Sequence, residues 1–356
     1  MRCGLAGLAL SVTGSAQAES QGPTLTKEAI NGATFQAPPE APKAEPDAPA
    51  KGRKVKQEAK DKSGKAADPL LVKVQVLLDR QKYSPGAIDG RDGENLQLAL
   101  SAYAAAQKLP TTKSVTREVF DKLAAASNEP VVTDYTITGD DLEGPFRPIP
   151  PKMEAQAELD GMGYTTPREM LAERFHMQRD LLSTLNPDKP LDKAGTVILV
   201  AAVAPMGTGK VEDRPLLPKV ARVEVDKTTK RVRSFSEDGT LVADYPASIG
   251  SSEKPAPSGR TKVKGVAFEP WYTYNPKYRF KGVKSRSKFS IHPGPNNPVG
   301  LVWIDLALPS YGIHGSPEPE KIGKTESHGC IRLTNWDARD LASHVEKGAK
   351  VEFLDR

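Results

Sequence analysis

A chain of 356 residues exceeds the usual size of one domain, so two or three folded units joined by connectors are expected. The formal charge of +5 at pH 7 is mild, and its local excess lies in residues 51–65, where seven Lys/Arg stand against Glu58 and Asp61. No aromatic side chain interleaves with those charges, which removes the stacking half of a single-strand nucleic-acid site, and the run reads as a soluble spacer. No nucleic-acid partner is expected.

Residues 1–18 have the pattern of an export leader: Arg2, an apolar stretch from Leu5 to Val12, and Ala16-Gln17-Ala18 as a small-residue cleavage site. Cleavage after Ala18 removes Cys3 and leaves Cys330 as a lone thiol with no partner for an internal disulfide. No later apolar run has membrane-spanning length, so no transmembrane segment is expected after leader removal. Residues 19–68, rich in Pro, Ala and Lys, read as a disordered linker with too little apolar surface to offset the entropy of ordering.

From 69 to 126 the periodicity is helical. Val72, Val76 and Leu77 lie on one helix, Tyr83 to Gly86 turn the chain, Ala99, Tyr103 and Ala106 follow on a second, and Val119, Phe120 and Leu123 on a third. With Pro85-Gly86 and Ile88-Asp89-Gly90, this segment resembles the small helical peptidoglycan-binding domain of wall enzymes. Residues 127–151 read as a linker, because the prolines from Pro145 to Pro151 favour an extended connector. In 152–205, Thr166 caps a helix with Pro167 at its first position, Leu171 and Phe175 share its face, Leu181, Leu182 and Leu185 form another, and Gly195 to Val200 reads as a strand. This is similar to a LysM module, a strand-helix-helix-strand unit that binds N-acetylglucosamine polymers; a helical spacer is the competing reading.

Residues 218–355 alternate like strands, at Val223, Val225, Val232, Phe235, Leu241 and Tyr245, with Asp238-Gly239 as a hairpin signal. One helix is expected from Asn335 to Lys347, capped by Thr334 or Asn335 and carrying Trp336, Leu341 and Val345 on one side. The expected fold is multidomain α+β, with small helical and βααβ units ahead of a mainly-β sandwich.

The chemistry concentrates in Tyr311-Gly312-Ile313-His314-Gly315-Ser316 and in Ser327-His328-Gly329-Cys330-Ile331-Arg332. A thiol needs a base to become a nucleophile, and a nearby imidazole supplies one. The amides of Gly329 and Cys330 are candidates to face a developing oxyanion, and Arg332, two residues on, shares a strand face with Cys330 and can hold a carboxylate. Zinc is the competing reading of two histidines and a cysteine, but only three ligands are on offer and their spacing is unlike a zinc site, so no metal and no cofactor are expected. His292, before Pro293-Gly294-Pro295, is a candidate to line the cleft; His176 and His344 read as helical surface or packing residues. Trp303 reads as core or as a substrate platform.

The stretch from Ile313 to Asn335 resembles the YkuD-type L,D-transpeptidase signature, an early His-Gly followed by Ser-His-Gly-Cys and a hydrophobic-Arg-hydrophobic tail. The resemblance implies a β-sandwich in which Cys330 is acylated, His314 is the base and the carbonyl of Gly315 orients the imidazole. It also implies that His328 supports this pair from behind; Ser327 is a further candidate there, and Tyr311, Trp303 and Arg332 are candidates to meet substrate. The implied donor is a tetrapeptide stem ending in D-alanine, and the acceptor the amine of another stem or an envelope protein, at the periplasm or cell envelope. The same thioester also serves an L,D-carboxypeptidase or an amidase that releases tethered protein; a non-catalytic wall-binding scaffold is the alternative of another class. Because all the chemistry lies beyond Val220, the two upstream units are expected to be separable modules that deliver the catalytic domain to the wall.

Overall fold

The computed structural model describes residues 25–36, 66–207, 218–251, 254–278, 283–327 and 329–355. The expected leader and the basic run at 51–65 lie outside the described residues.

The N-terminal half is mainly helical. Helix α1 (Lys27–Asn31) is capped by Thr26, and α2 (Pro69–Arg80) by Asp68, whose carboxylate accepts the Leu70 and Leu71 amides. Helices α3 (Glu94–Ala106) and α4 (Arg117–Ala125) follow, then strand β1 (Val132–Thr136), the short α5 (Met153–Gln156), α6 (Pro167–Arg174), α7 (Arg179–Leu185) and strand β2 (Val197–Ala201). Thr166 caps α6 as its sequence implies, accepting the Glu169 amide. Strands β1 and β2 pair antiparallel from Val132 opposite Ala201 to Thr136 opposite Val197.

Three expectations are corrected here. Residues 25–36 are ordered rather than linker, because Ile30 is fully buried and the Asn31 side chain bonds both the Val131 and Val132 amides and the Val132 carbonyl. The stretch 127–151 is not merely a connector: it contains β1, which pairs with β2 from the stretch expected to begin at 152. The units 69–126 and 152–205 also do not stand apart. Val72, Leu77, Leu100, Leu123, Val132, Leu171, Leu182 and Val200 belong to one core, since a two-stranded ribbon cannot bury its own faces.

The C-terminal half is β-rich: β3 (Val220–Asp226), β4 (Arg231–Phe235), β5 (Leu241–Pro246), β6 (Ser248–Ile249), β7 (Gly259–Phe268), β8 (Tyr272–Tyr274), β9 (Phe289–Ile291), β10 (Val302–Leu306), β11 (Gly312–His314), β12 (Ile331–Arg332), helix α8 (Asn335–His344) and β13 (Val345–Leu354). Nine strands run in the order β5-β4-β3-β13-β7-β10-β11-β12-β6, and β8 and β9 form a separate hairpin. The long β7 serves both halves of that sheet, pairing with β13 through residues 259–262 and with β10 through 263–268. Val223, Val225, Val232, Ile304, Ile313 and Ile331 meet Ala338 and Leu341 of α8 in its core. The helix expected to reach Lys347 stops at His344, because β13 is drawn between β3 and β7 and Val345 already pairs with Val220.

The two halves are welded together, contrary to separable modules. Tyr83 bridges to Asp244, extending the exposed edge of β5, and the Ser84 amide donates to the Asp244 carbonyl at 2.9 Å. Buried Arg231 donates to the Ser84 carbonyl, and the Ser84 hydroxyl to Asp337 at 2.9 Å. His176 stacks on Trp336 with ring centroids 5.0 Å apart. Arg179 grips Glu320 through two bonds of 2.7 and 2.9 Å.

Candidate active site

The site is built on the parallel pair β11 and β12, where Ile313 lies opposite Ile331 and His314 opposite Arg332. Both isoleucines are fully buried in the β core, so pleat alternation turns Gly312, His314, Cys330 and Arg332 to the other face. Antiparallel β10 sets Trp303 opposite His314, and the two rings stack at 5.5 Å. A row Trp303, His314, Arg332 therefore crosses three strands, with Cys330 one pleat away beside Gly312. Trp303 is half-buried and forms a wall of the site rather than core.

His314 is 3% exposed, and its Nδ1–H donates to the Gly315 carbonyl at 2.7 Å, which leaves Nε2 as the acceptor. Burial, and secondarily the Arg332 guanidinium, push its pKa down to about 3, with the Gly315 carbonyl opposing. Burial raises the Cys330 thiol above its ordinary value, while the Gly312 amide and Arg332 oppose that rise. The resting pair is thus a neutral thiol and a neutral imidazole, suited to general-base transfer as the sulfur attacks. The thiol points at the Ser310 carbonyl, 3.7 Å away.

The loop ahead of Cys330 is stapled in place. The hydroxyl of buried Ser327 accepts the Gly250 amide at 2.7 Å and donates to the Cys330 carbonyl, and the Ser327 amide returns to the Gly250 carbonyl at 2.9 Å. Gly329 has φ of +104°, a conformation that favours glycine, and the Tyr311 ring lies against it. Tyr311 thus borders the turn that carries the sulfur. Gly315 has no room for a side chain: a Cβ there would lie 2.2 Å from Asn335 Oδ1. Arg332 is mostly buried, its Nε has no hydrogen-bond partner among the described residues, and the titratable groups that bear on it are Cys330, Glu318 and Tyr272. A desolvated guanidinium with a spare donor beside the Cys330 thiol suits an incoming carboxylate. His328 lies outside the described residues.

Tyr272 and Asn335 carry roles that sequence reasoning missed. Burial, and then the Cys330 sulfur, push the Tyr272 phenol up to about 12, so β8 brings a neutral hydroxyl to the site. Its alternating Tyr-Thr-Tyr run signals a strand but not a cleft. His292 lies against the exposed Trp271, 3.9 Å between ring centroids, on the approach to β8 and β9. His176 is not on a helix as expected: it sits just past α6 with φ of +57°, bonded to Asp79 at 2.9 Å. His344 ends α8 and is buried.

A raised thiol has a direct readout. Iodoacetamide labelling of Cys330, followed by intact mass from about pH 5 to about pH 10 and corrected with Cys330→Ala, is expected to climb into the alkaline range without a histidine inflection near pH 6.5. Arg332→Gln is expected to shift that curve further alkaline, since the guanidinium favours thiolate. A plateau of fast labelling at acid pH would contradict the neutral pair.

Residues 221–353 match the family model of the L,D-transpeptidase catalytic domain, YkuD. The chain is 31% identical over 131 residues to a Fuscovulum blasticum protein named L,D-transpeptidase in ATP synthase subunits region ORF 5, covering 36% of this chain and 67% of that one. It is 30% identical over 132 residues to the Bacillus licheniformis protein named L,D-transpeptidase YkuD, 37% of this chain and 64% of the relative. It is 28% identical over 202 residues to probable L,D-transpeptidase YbiS of Escherichia coli, 54% of this chain and 61% of the relative. The chain therefore spans less than two thirds of the length of the latter two. A β-rich domain carrying a buried imidazole on one strand and a thiol at the start of the next has the architecture and the residue types of that catalytic domain. The chain belongs to the L,D-transpeptidase family.

Proposed function

We propose that the chain cross-links peptidoglycan stem peptides by cysteine acyl transfer. The observation that carries this reading is the β11–β12 register, which sets Cys330, His314 and Arg332 on one face with His314 Nδ1 already committed to Gly315. Arg332 holds the terminal carboxylate of the donor tetrapeptide. The Cys330 sulfur attacks the carbonyl after the L-centre of the third residue as His314 Nε2 takes its proton, and the amides of Gly329 and Cys330 receive the oxyanion. Collapse breaks the C–N bond, His314 returns the proton to the departing D-alanine amine, and a thioester remains. The amine of a second stem then attacks the thioester, loses a proton to His314, and forms the new amide as the thiolate leaves and is reprotonated.

The ancillary elements fit action at the wall. The β1-α6-α7-β2 arrangement supports the LysM-like reading and the α2-α3-α4 unit the peptidoglycan-binding one, with glycan as their ligand. The leader-like residues 1–18 support a periplasmic or envelope location, and β7, shared by two strand groups, supports the sandwich reading of the catalytic domain. Incubation with isolated tetrapeptide muropeptides, analysed by mass spectrometry, is expected to yield cross-linked dimers. Tripeptides without dimers would assign the thioester to hydrolysis, as in a carboxypeptidase. Neither product, from a folded enzyme, would return the chain to a wall-binding scaffold.

A further inference from the structure

We infer that Glu173, on α6 of the N-terminal half, is a positioning residue for the catalytic base, acting through Asn335 and Gly315. This rests on the reading of His314 as the base of Cys330.

The link is continuous and buried. Glu173 is 4% exposed and Asn335 fully buried, and Asn335 Nδ2 donates to Glu173 Oε1 at 2.7 Å. The same Nδ2 donates to the Pro295 carbonyl at 3.1 Å, and Asn335 Oδ1 accepts the Leu301 amide at 3.0 Å. The Asn335 amide is thereby clamped on both ends, and its Oδ1 lies directly against Gly315, where no Cβ fits. Gly315 in turn supplies the carbonyl that fixes His314 Nδ1 at 2.7 Å. Without Glu173, Nδ2 keeps one acceptor, the amide plane can rotate, and the surface behind Gly315 softens. An imidazole whose tautomer is loosened presents Nε2 to the sulfur for only part of the time.

Glu173 acts here as a neutral acceptor. Burial first, and then the negative charges of Glu169 and Glu320, raise its pKa to about 8, while the bonds from Asn335 and the Tyr164 hydroxyl, the latter at 3.3 Å, oppose. The Arg339 guanidinium also bears on Tyr164, the hydroxyl that caps the same carboxyl. A glutamine has the same shape and offers the same acceptor oxygen. The geometry makes the N-terminal half part of the catalytic apparatus.

The test compares Glu173→Gln with Glu173→Met, a side chain of similar length with no acceptor. Three readouts are taken on the whole chain: the rate of acylation by a carbapenem at saturation with its half-saturating concentration, the 15N shifts of the His314 ring assigned against His314→Gln, and the melting temperature. Glu173→Met is expected to acylate about a hundredfold more slowly, with unchanged half-saturation and averaged ring shifts, while melting near the wild type. Glu173→Gln is expected to match the wild type in all three. Met acylating at the wild-type rate with unaltered His314 shifts would overturn the inference, as would Gln slowed as much as Met. Should Met fail to fold, Glu173→Ala reads the same link, and the Gln arm stands independently. A wild-type chain that no carbapenem acylates would defeat the functional reading instead, and the His314 shifts would still report on the link.

Discussion

Cys330→Ala is expected to abolish covalent capture of a carbapenem or a tetrapeptide donor while leaving the fold intact. Among the described residues, no other side chain on that face of β11 and β12 can form a stable acyl adduct: His314 is buried with Nδ1 engaged, and Arg332 is a cation. Removal of a nucleophile that acts in one unit with its base costs on the order of a millionfold in turnover. The fold should persist because the bonds that shape the turn run through the backbone of residue 330 and the side chain of Ser327, not through the sulfur. The sulfur's own contacts, to the Ser310 carbonyl at a long 3.7 Å and from the Gly312 amide, are weak. Intact mass after exposure to carbapenem, beside a thermal melt, checks both halves of the statement. Adduct forming on the alanine variant at the wild-type rate would move the nucleophile elsewhere.

The placement of the candidate site was legible in the sequence because its residues are close in the chain. Ser327, Gly329, Cys330 and Arg332 fall within six positions, and a two-residue strand suffices to set Cys330 and Arg332 on one face. The helices were legible for the same reason, since Val72, Val76 and Leu77, or Leu181, Leu182 and Leu185, repeat at helical spacing and are buried where they repeat. Strand β1 was hidden because its burial follows no alternation that five residues can display, and its partner β2 lies more than sixty positions away. The end of α8 was misplaced because Val345 continues a helical face, yet pairing within the sheet outweighs propensity at a strand flanked on both sides. Least legible was the seam between the halves. Ser84, Arg231, Asp337, Glu173 and Asn335 look like surface residues in one dimension, and only partners distant in sequence make them buryable.

That seam changes what truncation should do. Deleting residues 19–205 removes one side of a shared interface rather than a pair of tethered modules, and the remaining fragment is expected to be insoluble or to melt far below the full chain. Trp336, 4% exposed, would lose the His176 ring stacked on it, and the edge of β5 would lose the Tyr83 bridge that covers it. Arg231 and Asp337 would each lose a partner from Ser84, and the Ile322 carbonyl would lose Asn95. At about 1 kcal/mol for each hydrogen bond, with apolar exposure added, the loss is on the order of the 5–15 kcal/mol that holds a domain folded. The cleft is affected as well. Glu154 accepts the Lys284 and Ser285 amides at 2.9 and 3.1 Å, and Met162 pairs through its backbone with Pro293 and Asn296, both at 2.9 Å, so the N-terminal half holds the segments on either side of β9. Strand β9 pairs with β8, which carries Tyr272 to the sulfur. The check is a comparison of the chain lacking residues 1–18 with the chain lacking 1–205, by thermal melt and by carbapenem acylation. A truncated protein that melts and acylates like its parent would restore independent modules; loss of acylation in a fragment that still folds would place the whole effect in the hold on His314 and the β8–β9 hairpin.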